Sequence, residues 1–163
     1  MKRILMLVMW VPLFAVAQES PSEAQYKAKI DQLTKQIAAN PSSPELYTKR
    51  ADQIFMLNSI YPNQTGNYAL TMVITDMDKA IELDANNPQL YALRGEYKRD
   101  ITGDLAAAQA DLSKAIELDP SNPTWYAQRS NYKGITGACM DWKKCAELGD
   151  GNCRVLNSQL CNK

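Results

Sequence analysis

Lys79-Ala80-Ile81-Glu82-Leu83-Asp84 runs on through Asn87-Pro88 to Leu90-Tyr91 and Arg94-Gly95. After an offset of 35 residues (114 − 79) the text returns as Lys114-Ala115-Ile116-Glu117-Leu118-Asp119, Asn122-Pro123, Trp125-Tyr126 and Arg129-Ser130. A helix closing on Lys-Ala-Ile-Glu-Leu-Asp, an Asn/Pro turn and a new helix opening on an aromatic residue make one helix-turn-helix unit. A copy at fixed offset is the signature of units stacked in an array. A shorter phrase marks three helix starts: Pro44-Glu45-Leu46-Tyr47 with Arg50-Ala51, Pro88-Gln89-Leu90-Tyr91 with Arg94-Gly95, and Pro123-Thr124-Trp125-Tyr126 with Arg129-Ser130. Proline suits the first helical turn, where its missing N–H leaves no bond unmade. The small residue after each arginine lets a paired helix come close.

Working outward, Ser22 and Gln25 form a capping-box pattern, and Tyr26, Ile30, Leu33 and Ile37 follow as one helical stripe. Residues 35–44 align with 79–88, so this helix reads as the second half of a unit without its first half, an N-terminal cap. Successive starts lie 44 and then 35 residues apart (88 − 44, 123 − 88), which puts about nine extra residues in a lengthened loop at 58–67. In the second unit the spacing predicts helices over 88–101 and 105–118 around Thr102-Gly103-Asp104, with Leu105, Ala108, Leu112, Ala115 and Ile116 as the apolar face. In the third, Ile135-Thr136-Gly137 echoes Ile101-Thr102-Gly103, so its first helix is expected to end there and its second to be about a turn short. Gly149-Asp150-Gly151 then breaks the chain before a last helix at 152–161. The expectation is an all-α stack of eight helices without strands, with Met56, Met72 and Met77 as core. The recurrence of Arg50, Arg94 and Arg129 with Asp76, Asp111 and Asp141 predicts a structural ion pair within each unit.

Lys2 and Arg3 precede an apolar run that closes on Ala15-Val16-Ala17, the pattern of a secretory signal peptide. The run is short for a membrane span, and no cysteine at the cleavage point offers a lipid anchor. The expected organisation is a signal peptide at 1–17, a leader and capping helix at 18–43, repeats at 44–150 (44–87, 88–122 and 123–150), and a disulfide-clamped helix at 151–163. The expected location is periplasmic or secreted, in a bacterial envelope. A chain starting at Gln18 keeps 16 basic residues (18 − 2) against 18 acidic ones, which gives no electrostatic case for nucleic acid or anionic lipid.

Cys139, Cys145, Cys153 and Cys161 are the four cysteines, and none forms a Cys-x-x-Cys motif. In an exported chain they read first as disulfides. If the last two helices form an antiparallel hairpin, residues at one level have a constant sum of positions. The sums 145 + 153 = 298 and 139 + 161 = 300 favour the nested pairing Cys145–Cys153 and Cys139–Cys161. Reactive thiols or metal binding are the alternative reading of the cluster.

Chemistry has little to work with here. The chain has no histidine, which removes the commonest general base and most triads and catalytic zinc sites. Its seven glycines form no phosphate-cradling loop. The expectation is a protein that is not an enzyme and carries no cofactor and no metal.

The two Lys-Ala-Ile-Glu-Leu-Asp copies and the three aligned starts resemble the tetratricopeptide repeat (TPR) over about residues 44–150. The resemblance implies a right-handed superhelical stack of antiparallel helix pairs. It also implies a concave groove, lined by the first helix of each repeat, that holds a peptide or a partner's helix. Carried onto this chain, the groove positions are Thr48, Lys49, Asp52 and Met56, then Ala92, Leu93, Glu96 and Arg99, then Ala127, Gln128 and Asn131. The family's peptide clamp grips carboxylates with paired lysines and asparagines, whereas this chain has Asp52 and Glu96 there. Trp142 to Asp150 is similar to the Sel-like relative of that repeat, with Cys145 and Cys153 in place of packed alanines. The expected function is an exported scaffold for a protein or peptide partner. A thiol redox or metal-handling protein and a structural subunit of an envelope assembly are the alternatives.

Overall fold

The computed structural model describes residues 21–62 and 69–161, without the side chain of Thr136. The proposed signal peptide and residues 63–67 of the long loop lie outside the described residues. Within them are eight helices and no strand: α1 Glu23–Ala39, α2 Pro44–Ile60, α3 Leu70–Leu83, α4 Pro88–Thr102, α5 Leu105–Leu118, α6 Pro123–Ser130, α7 Ile135–Glu147 and α8 Gly151–Leu160. Each helix packs on its chain neighbours from α1 through to α8, giving a stack of antiparallel pairs.

Local chemistry sets the boundaries. Ser22 and Gln25 bond reciprocally to each other's backbone N–H, the capping box expected for α1. Proline opens α2, α4 and α6, and Asn87 and Asn122 accept from the N–H groups of Gln89 and Thr124. Gly103 ends α4 at φ 69°, a left-handed turn that favours glycine. The next residue, Asp104, caps α5 by accepting from Ala107 N–H.

Three expectations need correction. The first concerns the third unit, where α6 has 8 residues and α7 has 13, so the first helix is the short one. Ile135 does not end α6 but starts α7, with Gly134 as its N-cap. The reason lies in the ion pairs: Arg94 and Asp111 are 17 residues apart, Arg129 and Asp141 only 12. With 17 − 12 = 5 residues fewer and the same pair to make, the chain must leave α6 early. The second correction is to the long loop: α2 continues through Ile60, so 58–60 are helical and Tyr61 is the C-cap. Tyr61 packs edge-on to Tyr26 and donates its hydroxyl to the carbonyl of Pro21, tying the end of α2 to the start of α1. The third is to the predicted core. Leu105 and Met56 are exposed, Met72 is partly buried, and only Met77 of the three methionines is fully enclosed. Leu105 is the first residue of α5 and is 46% exposed.

The core thins from one end of the stack to the other. Between α1 and α4 it is built of large side chains, among them Ile30, Ile54, Leu57, Val73, Met77 and Tyr97. Burial of each contributes roughly 1.5–3 kcal/mol. Between α4 and α6 alanines dominate (Ala92, Ala108, Ala115) around Leu112 and Trp125. At α6 to α8 the cluster shrinks to Tyr126, Cys145 and Cys153. Covalent bonds take over there: Cys145–Cys153 and Cys139–Cys161 join α7 to the end of the chain, with Cα–Cα distances of 5.7 and 5.6 Å. The nested pairing follows from the antiparallel α7–α8 hairpin, whose turn uses Gly149 at φ 103° and Asp150 as N-cap.

Candidate partner-binding face

One construction recurs in all three units and holds the first helices in place. Arg50, Arg94 and Arg129 each present Nε and Nη2 to the two oxygens of Asp76, Asp111 and Asp141, at 2.5–3.1 Å. Such forks join α2 to α3, α4 to α5 and α6 to α7. The remaining Nη1 reaches back 16 residues each time, to Thr34 of α1, Asp78 of α3 and Ser113 of α5, at 3.1, 2.7 and 3.0 Å. Each arginine thus pins three helices. Its guanidinium also lies over the tyrosine three residues earlier (Tyr47, Tyr91, Tyr126), 5.7–6.0 Å from the ring centroid. Those tyrosines donate their hydroxyls six residues back, to the carbonyls of Pro41, Ala85 and Pro120. The aspartates are buried. The hydrogen bond to Asp76 raises the Arg50 guanidinium above its ordinary pKa. For Arg94 burial pulls the other way, but the bonds to Asp111 and Asp78 outweigh it. Lys98 and Lys133 add a second cation to Asp111 and Asp141 at 2.9 Å; the equivalent residue beside Asp76 is the buried Ile54.

The small residue after each arginine makes this possible. A Cβ on Gly95 would lie 3.1 Å from the Ala108 carbonyl oxygen and 3.3 Å from Asp111 Cβ, so α4 and α5 are nearly in backbone contact. Ala51 and Ser130 fill the same place and are buried.

A second set of bonds links the first helices to one another. Asp52 of α2 accepts from the Tyr97 hydroxyl of α4, and Phe55 of α2 packs on the Tyr97 ring. Glu96 of α4 accepts from Gln128 Nε2 of α6 at 2.7 Å. Arg99 of α4 donates to the Tyr132 hydroxyl just after α6 at 2.9 Å, lies 5.4 Å from that ring's centroid, and also forks onto Asp100. Burial pushes the Tyr97 phenol far above its ordinary pKa, and the Asp52 carboxylate adds to the push. Burial also raises the Glu96 carboxyl; Arg99 partly offsets this. Gln128 Oε1 is enclosed without a partner, so this side chain is held by its amide nitrogen alone.

The proposed groove residues therefore divide in two. Asp52, Glu96, Arg99 and Gln128 are engaged across the interfaces between units. Leu93, Ala127 and Thr48 are half-buried, and Thr48 bonds its own helix through the Pro44 carbonyl; Ala92 is buried in the core. Lys49, Met56 and Asn131 are exposed, with Lys49 paired to Glu45 within α2. Asn131 lies just beyond the end of α6, as its C-cap. Tyr97 and Tyr132, 35 residues apart, were missing from the sequence reading although the repeat offset connects them. Thr34, Asp78 and Ser113 were missing too; only their constant distance from the arginines marks them.

Several solved structures share this arrangement. TTC0263, a thermophilic TPR protein in Thermus thermophilus, matches with a TM-score of 0.66 over 84% of this chain and 73% of its own, at 16% identity. The chain has the tetratricopeptide-repeat fold. MamA gives a TM-score of 0.63 over 85% of this chain and 78% of its own at 16% identity. The first TPR of Spaghetti (RPAP3), bound to the HSP90 peptide SRMEEVD, gives 0.54 over 68% and 79% at 24% identity. No family model matches the sequence, and no curated protein matches it.

On this TPR fold the four cysteines are paired with one another. Cys145, Cys153 and Asp150 come within 4.8 Å of one another, but the two sulfurs are bonded together and Asp150 accepts from Cys153 N–H. No described helix is long and apolar enough to cross a membrane.

Proposed function

We propose that the chain is an exported TPR scaffold that holds a protein or peptide partner along the shared face of α2, α4 and α6. One observation carries this reading. The first helices are locked to one another by Asp52–Tyr97, Glu96–Gln128 and Arg99–Tyr132, which fixes the spacing of a face on which Lys49, Met56 and Asn131 remain exposed. A preorganised surface loses little entropy on binding, the main device by which a scaffold gains affinity. The Spaghetti TPR bound to an HSP90 peptide supports the class of ligand. Asp52 and Glu96 argue for a different peptide chemistry, one met by polar and backbone contacts rather than by a carboxylate clamp. In this account the partner is met outside the cytoplasm, after removal of 1–17.

The test is co-purification after cross-linking in cells. The chain should recover one dominant partner. That partner should be lost when Lys49→Glu, Met56→Glu and Asn131→Lys are combined, and kept with Lys114→Glu and Lys143→Glu on the second helices. Loss with the second set, or indifference to the first, would refute the placement.

A further inference from the structure

Covalent bonds, more than packing, hold α8 to the stack. Cys153 is its one buried residue, and of all α8 only Cys153 enters the cluster with Tyr126 and Cys145. From 154 to 160 every residue is exposed except the half-buried Asn157. A helix as short as α8 is marginal by itself in water. Its last two turns therefore depend on Cys139–Cys161, whose second cysteine is the C-cap of the helix.

The two disulfides differ in access and in charge. Exchange with a thiol requires a thiolate to reach one sulfur and another thiolate to leave. Cys145 and Cys153 are 0% and 2% exposed, whereas Cys139 and Cys161 are half-buried and within reach of solvent. The Asp150 carboxylate lies within 4.8 Å of both sulfurs of the inner bond. A negative charge there repels an attacking thiolate and raises the cost of the one that leaves. The outer bond has the opposite setting. Lys143 follows Cys139 by one turn of α7, a spacing that makes the two neighbours on the helix surface. One turn before Cys161 stand the neutral Asn157 and Ser158.

We propose that Cys139–Cys161 is a redox latch: a dithiol reductant opens it ahead of Cys145–Cys153, releasing the last two turns of α8 and uncovering Trp142 on α7. One thiolate of the reductant attacks the Cys161 sulfur and forms a mixed disulfide. Cys139 leaves as a thiolate beside Lys143 and then takes a proton. The second thiol of the reductant closes its own disulfide and frees Cys161, so two electrons and two protons pass to the protein. Trp142 lies three residues from both Cys139 and Cys145, on the side of α7 that both cysteines bond to α8, and it is half-buried. With the outer bond open, the segment carrying Val155, Leu156 and Leu160 lifts from that side. The inner bond stays closed and keeps the Tyr126 cluster, so α6 and the partner-binding face are undisturbed. The proposal is independent of that face.

Graded dithiothreitol on the whole oxidised chain, quenched by alkylation and followed by peptide mass mapping, tests this. A species alkylated at Cys139 and Cys161, with Cys145–Cys153 intact, should accumulate first. Its hydrogen exchange should rise about tenfold or more over 154–161, and its tryptophan emission should move to the red through Trp142, since Trp125 stays enclosed. Cys139→Ser with Cys161→Ser should show the same exchange and emission with no reductant present. Lys143→Glu should slow the first opening about threefold or more, with circular dichroism unchanged. Simultaneous loss of both disulfides, or loss of the inner one first, would overturn the proposal. So would a species opened at Cys139–Cys161 that keeps full protection over 154–161. A first step unchanged by Lys143→Glu would overturn the leaving-group assignment.

Discussion

Replacing Arg50 by Met should be the most damaging single change in the arginine series. Its Nε and Nη2 both serve Asp76, whose side chain is 4% exposed, and no lysine stands by to replace it, since Ile54 fills the place taken by Lys98 and Lys133 elsewhere. Breaking a buried pair from one side leaves an uncompensated charge, at a cost of about 3–5 kcal/mol. With a urea dependence of about 2 kcal/mol/M, that is a midpoint shift of roughly 2 M. The same exchange at Arg94 or Arg129 should cost about half as much, because Lys98 or Lys133 stays on the aspartate. Removing both charges together, Arg50→Met with Asp76→Leu, should bring stability back to within about 1 kcal/mol of the starting protein. Urea unfolding followed by circular dichroism at 222 nm measures all of these. Equal losses at the three arginines, or a double variant as unstable as the sum of its singles, would refute the account of the forks.

Gly95→Leu should destabilise by about 1–3 kcal/mol through overpacking against the Ala108 backbone, while Gly95→Ser, as at Ser130, should cost less; thermal unfolding decides. Replacing Cys145 and Cys153 by serine should remove roughly 2–3 kcal/mol, from the loop-closure entropy of a separation of 8 residues, and hydrogen exchange should rise in α8 first. Glu96 has a raised folded-state pKa, so the folded state holds its proton more tightly than the unfolded state does. Its contribution is present below the unfolded pKa and is lost as pH rises through the folded pKa; Glu96→Gln should remove this falling slope from stability measured across mildly acidic pH. Tyr97 is raised likewise. Its contribution fades as pH climbs above the ordinary tyrosine range, and phenolate absorbance should show one tyrosine that ionises only with unfolding, a feature absent from Tyr97→Phe.

The stack was legible because its signals are local and repeated. Pro44, Pro88 and Pro123 mark starts, the Lys-Ala-Ile-Glu-Leu-Asp copies mark ends, and recurring Arg and Asp foretold bonds that the structure shows at each unit. Spacing alone misled in the third unit, where Ile135-Thr136-Gly137 copied an earlier helix end but begins α7; the pull of Asp141 toward Arg129 outweighed the local likeness. The face was legible only in outline. Position in the repeat chose Asp52, Glu96 and Gln128, but not that Tyr97 and the neighbouring units already engage them, because contacts between units depend on side-chain reach rather than on period.

The partner-binding claim is tested most directly by photo-cross-linking from single positions in living cells. A photoreactive residue at position 49, 56 or 131 should trap one and the same partner, and one at 114 or 143 should trap none of it. Adducts of that partner from 114 or 143, with none from the first three, would contradict the account.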